Sequence, residues 1–72
     1  MHTITNRQNE VLEFIHNFVS RNSYPPTIRE IADNFKVFSG AVYASMIALR
    51  RKGYIDWVDE KPRTIRVLKK GA

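Results

Sequence analysis

The charged side chains of this sequence that can act together are cations, and their placement suits contact with a polyanion rather than a reaction. Residues 35–72 carry nine Lys or Arg against three acids, while residues 1–34 carry three Arg against four acids, within a formal net charge of +5. A basic half of this kind is drawn to nucleic acid or to an anionic membrane. Within it, Lys61 and Arg63 flank Pro62 in a polar stretch, and Arg50-Arg51-Lys52 form a run. Groupings that carry catalysis are missing. With no cysteine, neither a disulfide nor a thiolate metal site can form. His2 and His16 stand 14 residues apart with no clustered carboxylates, and read as surface or boundary residues rather than metal ligands. Glu10 and Glu13 read as solvated helix positions, not as an acid–base pair. No nucleophile–base pair and no Gly-rich phosphate loop is visible. The expectation is a binding module that is not an enzyme, with no metal and no cofactor.

The elements that must position these cations follow from local pattern. Pro25 and Pro26 end any preceding helix, because neither has an N–H to donate. Thr27 then stands three residues ahead of Glu30, the capping-box spacing, and Ile28, Ile31, Ala32 and Phe35 follow at helical intervals. The spacing predicts a short helix over 28–35. Thr5-Asn6-Arg7-Gln8 is a second capping box, opening a helix over 5–21 whose buried stripe is Val11, Leu12, Ile15, Phe18 and Val19, with Phe14 at its edge. Lys36-Val37-Phe38 reads as a turn and Ser39 as the cap of a third helix over 40–52, with Val42, Met46 and Leu49 buried. Gly53 suits the left-handed position after that helix, and the cations in the last turn complement its dipole. Two helices joined by so short a turn, the first itself short, point to a helix-turn-helix.

After Gly53 the period becomes two. Tyr54–Val58 and Thr64–Leu68 predict two strands, with Ile55 and Trp57 on one face and Ile65 and Val67 on another, joined by a polar tip at Asp59–Arg63. Trp57 is expected to cover a small core. The order helix, helix, helix, strand, tip, strand predicts a mainly α fold with a small β-hairpin, a three-helix winged helix-turn-helix over 1–68, with a basic tail or start of a linker over 69–72. A chain of 72 residues makes one such domain, with a stability margin of roughly 3–5 kcal/mol. No apolar run approaches the about 18 residues of a membrane span, so no membrane partner is expected, and the lack of cysteine is compatible with a cytoplasmic location.

At this point the sequence resembles the N-terminal DNA-binding domain of the LexA repressors of the bacterial SOS response. The resemblance covers about residues 3–68. Three stretches carry it: Thr5-Asn6-Arg7-Gln8 with the following apolar face, Pro25-Pro26-Thr27-Ile28-Arg29-Glu30-Ile31-Ala32, and Leu49-Arg50-Arg51-Lys52-Gly53-Tyr54-Ile55 with Lys61-Pro62-Arg63-Thr64-Ile65. It implies a homodimeric repressor on a palindromic operator in double-stranded DNA, in the bacterial or phage nucleoid. It also implies a third helix that reads bases, a wing on the backbone, and a self-cleaving Ser/Lys peptidase in a further domain that this sequence does not contain. An isolated domain and a stand-alone relative both fit.

On the third helix the resemblance directs attention to Ser39, Gly40, Ala41, Tyr43, Ala44 and Ile47 as base-reading candidates. The family is usually polar there, and the turn before the helix is about one residue shorter here. Small residues let the backbone approach closely, Ser and Tyr hydroxyls can hydrogen-bond, and Ala can touch a thymine methyl. The backbone candidates are Arg7, Thr27, Arg29, Arg50, Lys61, Arg63 and Thr64. Arg50, Arg51 and Lys52 are otherwise expected to form a solvated helix end. A competing reading makes this a protein-interaction module that uses Tyr43 and Ile47 as exposed apolar contacts.

Overall fold

The computed structural model describes residues 3–69 and contains three helices and one antiparallel hairpin: α1 (Asn6–Asn22), α2 (Ile28–Phe35), α3 (Ser39–Arg51), β1 (Ile55–Asp56) and β2 (Arg66–Val67). His2 and the tail beyond Lys69 lie outside the described residues. Both capping boxes form. Gln8 N–H donates to Thr5 Oγ1 and Thr5 N–H to Gln8 Oε1, each at 3.1 Å. Glu30 N–H donates to Thr27 Oγ1 at 3.1 Å, and Thr27 N–H to Glu30 Oε1 at 2.8 Å. Each box satisfies two donors at its helix start that would otherwise lack partners.

The core is one cluster: Val11, Leu12 and Ile15 from α1, Ile31 and Ala32 from α2, Val42, Met46 and Leu49 from α3, and Tyr54, Ile55, Trp57 and Ile65 from the hairpin region. α3 lies at its centre, in contact with α1, α2 and β1. It ends as its sequence predicts. Gly53 adopts φ +83°, with its N–H donating to the Arg50 carbonyl at 3.0 Å and that of Tyr54 to the Leu49 carbonyl at 2.9 Å. Trp57 is buried and caps the cluster.

Three expectations are corrected. Ser39 is not the cap of α3 but its first residue. Phe38 takes the cap position, and its carbonyl accepts from Ala41 N–H at 3.0 Å, so the helix starts one residue earlier and has no side-chain cap. Val19, expected in the buried stripe, is 37% exposed, and Phe18 is only half-buried. The last turn of α1 has the loop rather than another helix beside it, and Phe18 stacks edge-on against Tyr24 of that loop at 5.7 Å. The strands are two residues long instead of five. Ile55 pairs with Val67 and Asp56 with Arg66. Beyond them the Thr64 hydroxyl replaces the ladder: it accepts from Val58 N–H at 2.9 Å and donates to the Lys61 carbonyl at 2.9 Å, with that of Val58 at 3.2 Å. No helix among the described residues is long and apolar enough to cross a membrane.

Thr27→Ala removes one cap bond at the start of α2 and is expected to cost about 1 kcal/mol, a fall of roughly 4–8 °C in melting temperature for a domain of this size. A thermal melt superimposable on wild type would exclude the capping role.

Candidate nucleic-acid interface

The start of α2, the N-terminal half of α3 and the hairpin tip enclose one open cleft. Thr27 and Arg29 line it on one side, Ser39 and Tyr43 on the second, and Lys61, Arg63 and Thr64 on the third. Helix periodicity places Gly40, Ala44, Ile47 and Arg51 on one line of α3, opposite the buried Val42, Met46 and Leu49. Ser39, Gly40, Ala41, Tyr43 and Ala44 are exposed. Ile47 differs from these five, being half-buried and packed against the core. Gly40 is not required by packing, since a Cβ there meets nothing within 4 Å. Tyr43 leans edge-on against Trp57, with ring centroids 6.1 Å apart.

The cations divide into two groups. Arg63 is drawn back onto the body of the domain. Its Nη1 and Nη2 donate to the two carboxylate oxygens of Glu30 at 2.9 and 3.0 Å, Nη1 also reaches the Pro25 carbonyl at 3.2 Å, and the guanidinium lies 4.8 Å over the Tyr24 ring. Arg50 is likewise occupied. It donates to Asp56 at 3.0 Å, Asp59 at 3.4 Å and the Trp57 carbonyl at 2.9 Å, and stacks 4.1 Å over the Trp57 ring. Lys52 donates to the Thr3 carbonyl at 2.6 Å and to Gln8 Oε1 at 2.8 Å, tying the end of α3 to the cap of α1. The expected solvated end of α3 is therefore reduced to Arg51. Arg7 lies 4.8 Å over the Phe35 ring and 3.7 Å from Glu10, half-exposed. Arg29, Lys36, Arg51 and Lys61 are exposed and have no ion-pair partner among the described residues.

These contacts shift the titrations. The Arg63 guanidinium, then the Thr27 N–H, hold the Glu30 carboxyl below its ordinary value, and Glu30 in turn raises Arg63. The Trp57 N–H, then Arg50, lower Asp56, and Asp56 raises Arg50. The arrangement has an electrostatic consequence at the start of α2. A bare Glu30 carboxylate there repels an approaching anion, and the paired Arg63 neutralises it. The N–H groups of Ile28 and Arg29, which have no partner within the helix, then start a helix whose first-turn carboxylate is neutralised by its ion pair.

The family model described as LexA DNA binding domain matches residues 1–64. The chain belongs to the LexA DNA-binding domain family. Among curated relatives, the LexA repressor of Thermotoga petrophila is 45% identical over 69 residues and that of Thermotoga maritima 44% over 69, each alignment covering 96% of this chain and 35% of the relative. The LexA repressor of Leptospira biflexa is 38% identical over 72 residues, all of this chain and 36% of its own length. The chain thus spans about a third of the relatives it matches. In this LexA-type domain α2 and α3 are the helix-turn-helix and the hairpin is the wing.

Sequence reading missed the Glu30–Arg63 pair, the Arg50 network and the exposure of Phe38. The first joins residues 33 apart, for which no periodicity gives a sign. Phe38 carries a signal in hindsight: a large apolar residue directly before a helix start is a poor cap.

A carboxylate whose folded pKa is lowered stabilises the fold above its unfolded pKa, and that contribution is lost as pH falls through the folded one. Glu30→Gln is therefore expected to be less stable than wild type at neutral pH, with the gap closing on acidification through and below the ordinary carboxylate range. Denaturant melts across pH check this, and a gap independent of pH would contradict the pairing.

Proposed function

We propose that this chain is the operator-binding module of a LexA-type transcriptional repressor acting on double-stranded DNA. In this reading the N-terminal half of α3 lies in the major groove, and the wing tip and the start of α2 rest on flanking phosphates. The observation that carries it is the exposed, uncharged start of α3 set in a cleft with Arg29 on one rim and Lys61 on the other. A major groove about 12 Å wide admits a helix, and Ser39, Gly40, Ala41 and Ala44 present little bulk to hold it off. Lys61, Arg29 and the first N–H groups of α2 are the phosphate ligands, Arg51 joins them at the far end of the same helix line, and Arg7 is a secondary contact.

Arg63, Arg50 and Thr64 act chiefly through the wing's position, because the terminal nitrogens of Arg63, the guanidinium of Arg50 and the hydroxyl of Thr64 already hold partners within the chain. Residues 1–68 are the binding unit, and 69–72 continue as tail or linker. By the family resemblance the working species is a homodimer on a palindromic operator, in the cytoplasm, under control of the SOS type. The protein-interaction reading through Tyr43 and Ile47 finds no support in the comparisons. Tyr43 already stacks on Trp57 and Ile47 already packs on the core.

Selection from a random duplex pool tests this reading, with a palindrome as the expected product. With ~4–6 phosphate contacts per domain, log affinity against log salt should fall with a slope of about −4 to −5. Lys61→Ala with Arg29→Ala is expected to weaken binding to all duplexes alike and flatten that slope by about 2. Salt-insensitive binding, or a double variant equal to wild type, would contradict the docking.

A further inference from the structure

Phe38 is 89% exposed, the most exposed of the large apolar side chains described. Nothing in the fold uses its ring. It belongs neither to the core cluster nor to the partly buried residues packed on it, and among the described residues it stacks on no other aromatic ring. Its backbone is extended, at φ −73° and ψ 149°, and its side chain gives α3 no cap bond where Ser, Thr, Asp or Asn would give one. The position sacrifices a local hydrogen bond to hold an apolar ring in water. Ala41, one helical turn on, and Ala44 beyond it are also exposed and apolar.

We propose that Phe38 is a specificity-determining residue that packs on the 5-methyl group of a thymine in the major groove, with Ala41 and Ala44 continuing the apolar strip. This rests on the DNA-binding reading above. The methyl of thymine is the apolar group that base edges present in that groove. The exposed start of α3 offers no Asn, Gln, Arg or Glu to pair with base edges, so apolar contact is the sequence information it can supply. Charge selects DNA over a protein partner as the occupant. No Asp or Glu lies between Lys36 and Arg51, Lys36 stands two residues before the ring, and Ser39 lines the same cleft as Arg29 and Lys61.

Two alternating duplexes of equal length, adenine–thymine and adenine–uracil, differ only in that methyl. Wild type should bind the thymine duplex at least about fourfold more tightly, the equivalent of the ~0.8 kcal/mol for one buried carbon group. Phe38→Ser, which supplies a residue able to cap α3 and so should fold, is expected to lose most of the preference for the thymine duplex while keeping the wild-type salt slope. Equal wild-type binding to both overturns the proposal, as does a Phe38→Ser variant that keeps the methyl preference. So does concentration-dependent self-association of wild type without DNA that Phe38→Ser abolishes. Absence of steeply salt-dependent binding to either duplex instead defeats the DNA-binding reading itself.

Discussion

The Glu30 carboxylate is the joint on which the arrangement of the domain depends. It accepts from the Thr27 N–H, which starts α2, and from both terminal nitrogens of Arg63, which belongs to the wing. Arg63 also reaches the Pro25 carbonyl and covers the Tyr24 ring, so the loop before α2 is held by the same group. A hairpin with two pairs of ladder residues cannot fix its own tip. The tip is fixed from outside by this ion pair and from inside by the Thr64 hydroxyl, and the left-handed backbone of Arg63, φ +58°, is held in place by those contacts. The pair is half-exposed, so its weight lies in geometry more than in stability.

Arg50 does for the base of the wing what Arg63 does for its tip. One guanidinium links α3 to Asp56, Asp59 and the Trp57 carbonyl while covering the indole face. The wing is thereby attached to both helices of the helix-turn-helix, and the three rims of the cleft are tied together. The excess positive charge of the second half of the chain is consequently smaller at the surface than its composition suggests. The exposed cations around the cleft face are few, and they lie at its edges rather than on α3's first turns, where the surface is apolar or small.

Much of this was legible in the sequence where the physics is local. Both capping boxes, the ends of α2, the Val42–Met46–Leu49 stripe and the left-handed Gly53 depend on residues within seven positions of one another. The errors arise where tertiary context decides. Ser39 has the chemistry of a cap, yet the helix starts a residue earlier on Phe38. Val19 keeps the apolar period, but α1 outruns the core it packs on. The alternation on each side of the wing holds in part, since Ile55, Trp57 and Ile65 are buried, but Tyr54 is buried as well and the ladder gives way to the Thr64 hydroxyl after two pairs. Of the backbone candidates, Arg63 and Arg50 are held in ion pairs within the domain. Their hydrogen-bond partners stand up to 38 residues away and no spacing rule couples them.

The central claim is that the start of α2, the first turns of α3 and the wing tip act as one DNA-facing surface. Amide chemical-shift mapping of the isotope-labelled chain titrated with duplex DNA tests it most directly. The account predicts that Thr27–Glu30, Phe38–Ser45 and Val58–Thr64 shift together, while Phe14–Asn22 of α1 stays unperturbed. Shifts centred on Val19 and Tyr24, with α3 and the wing silent, would contradict it.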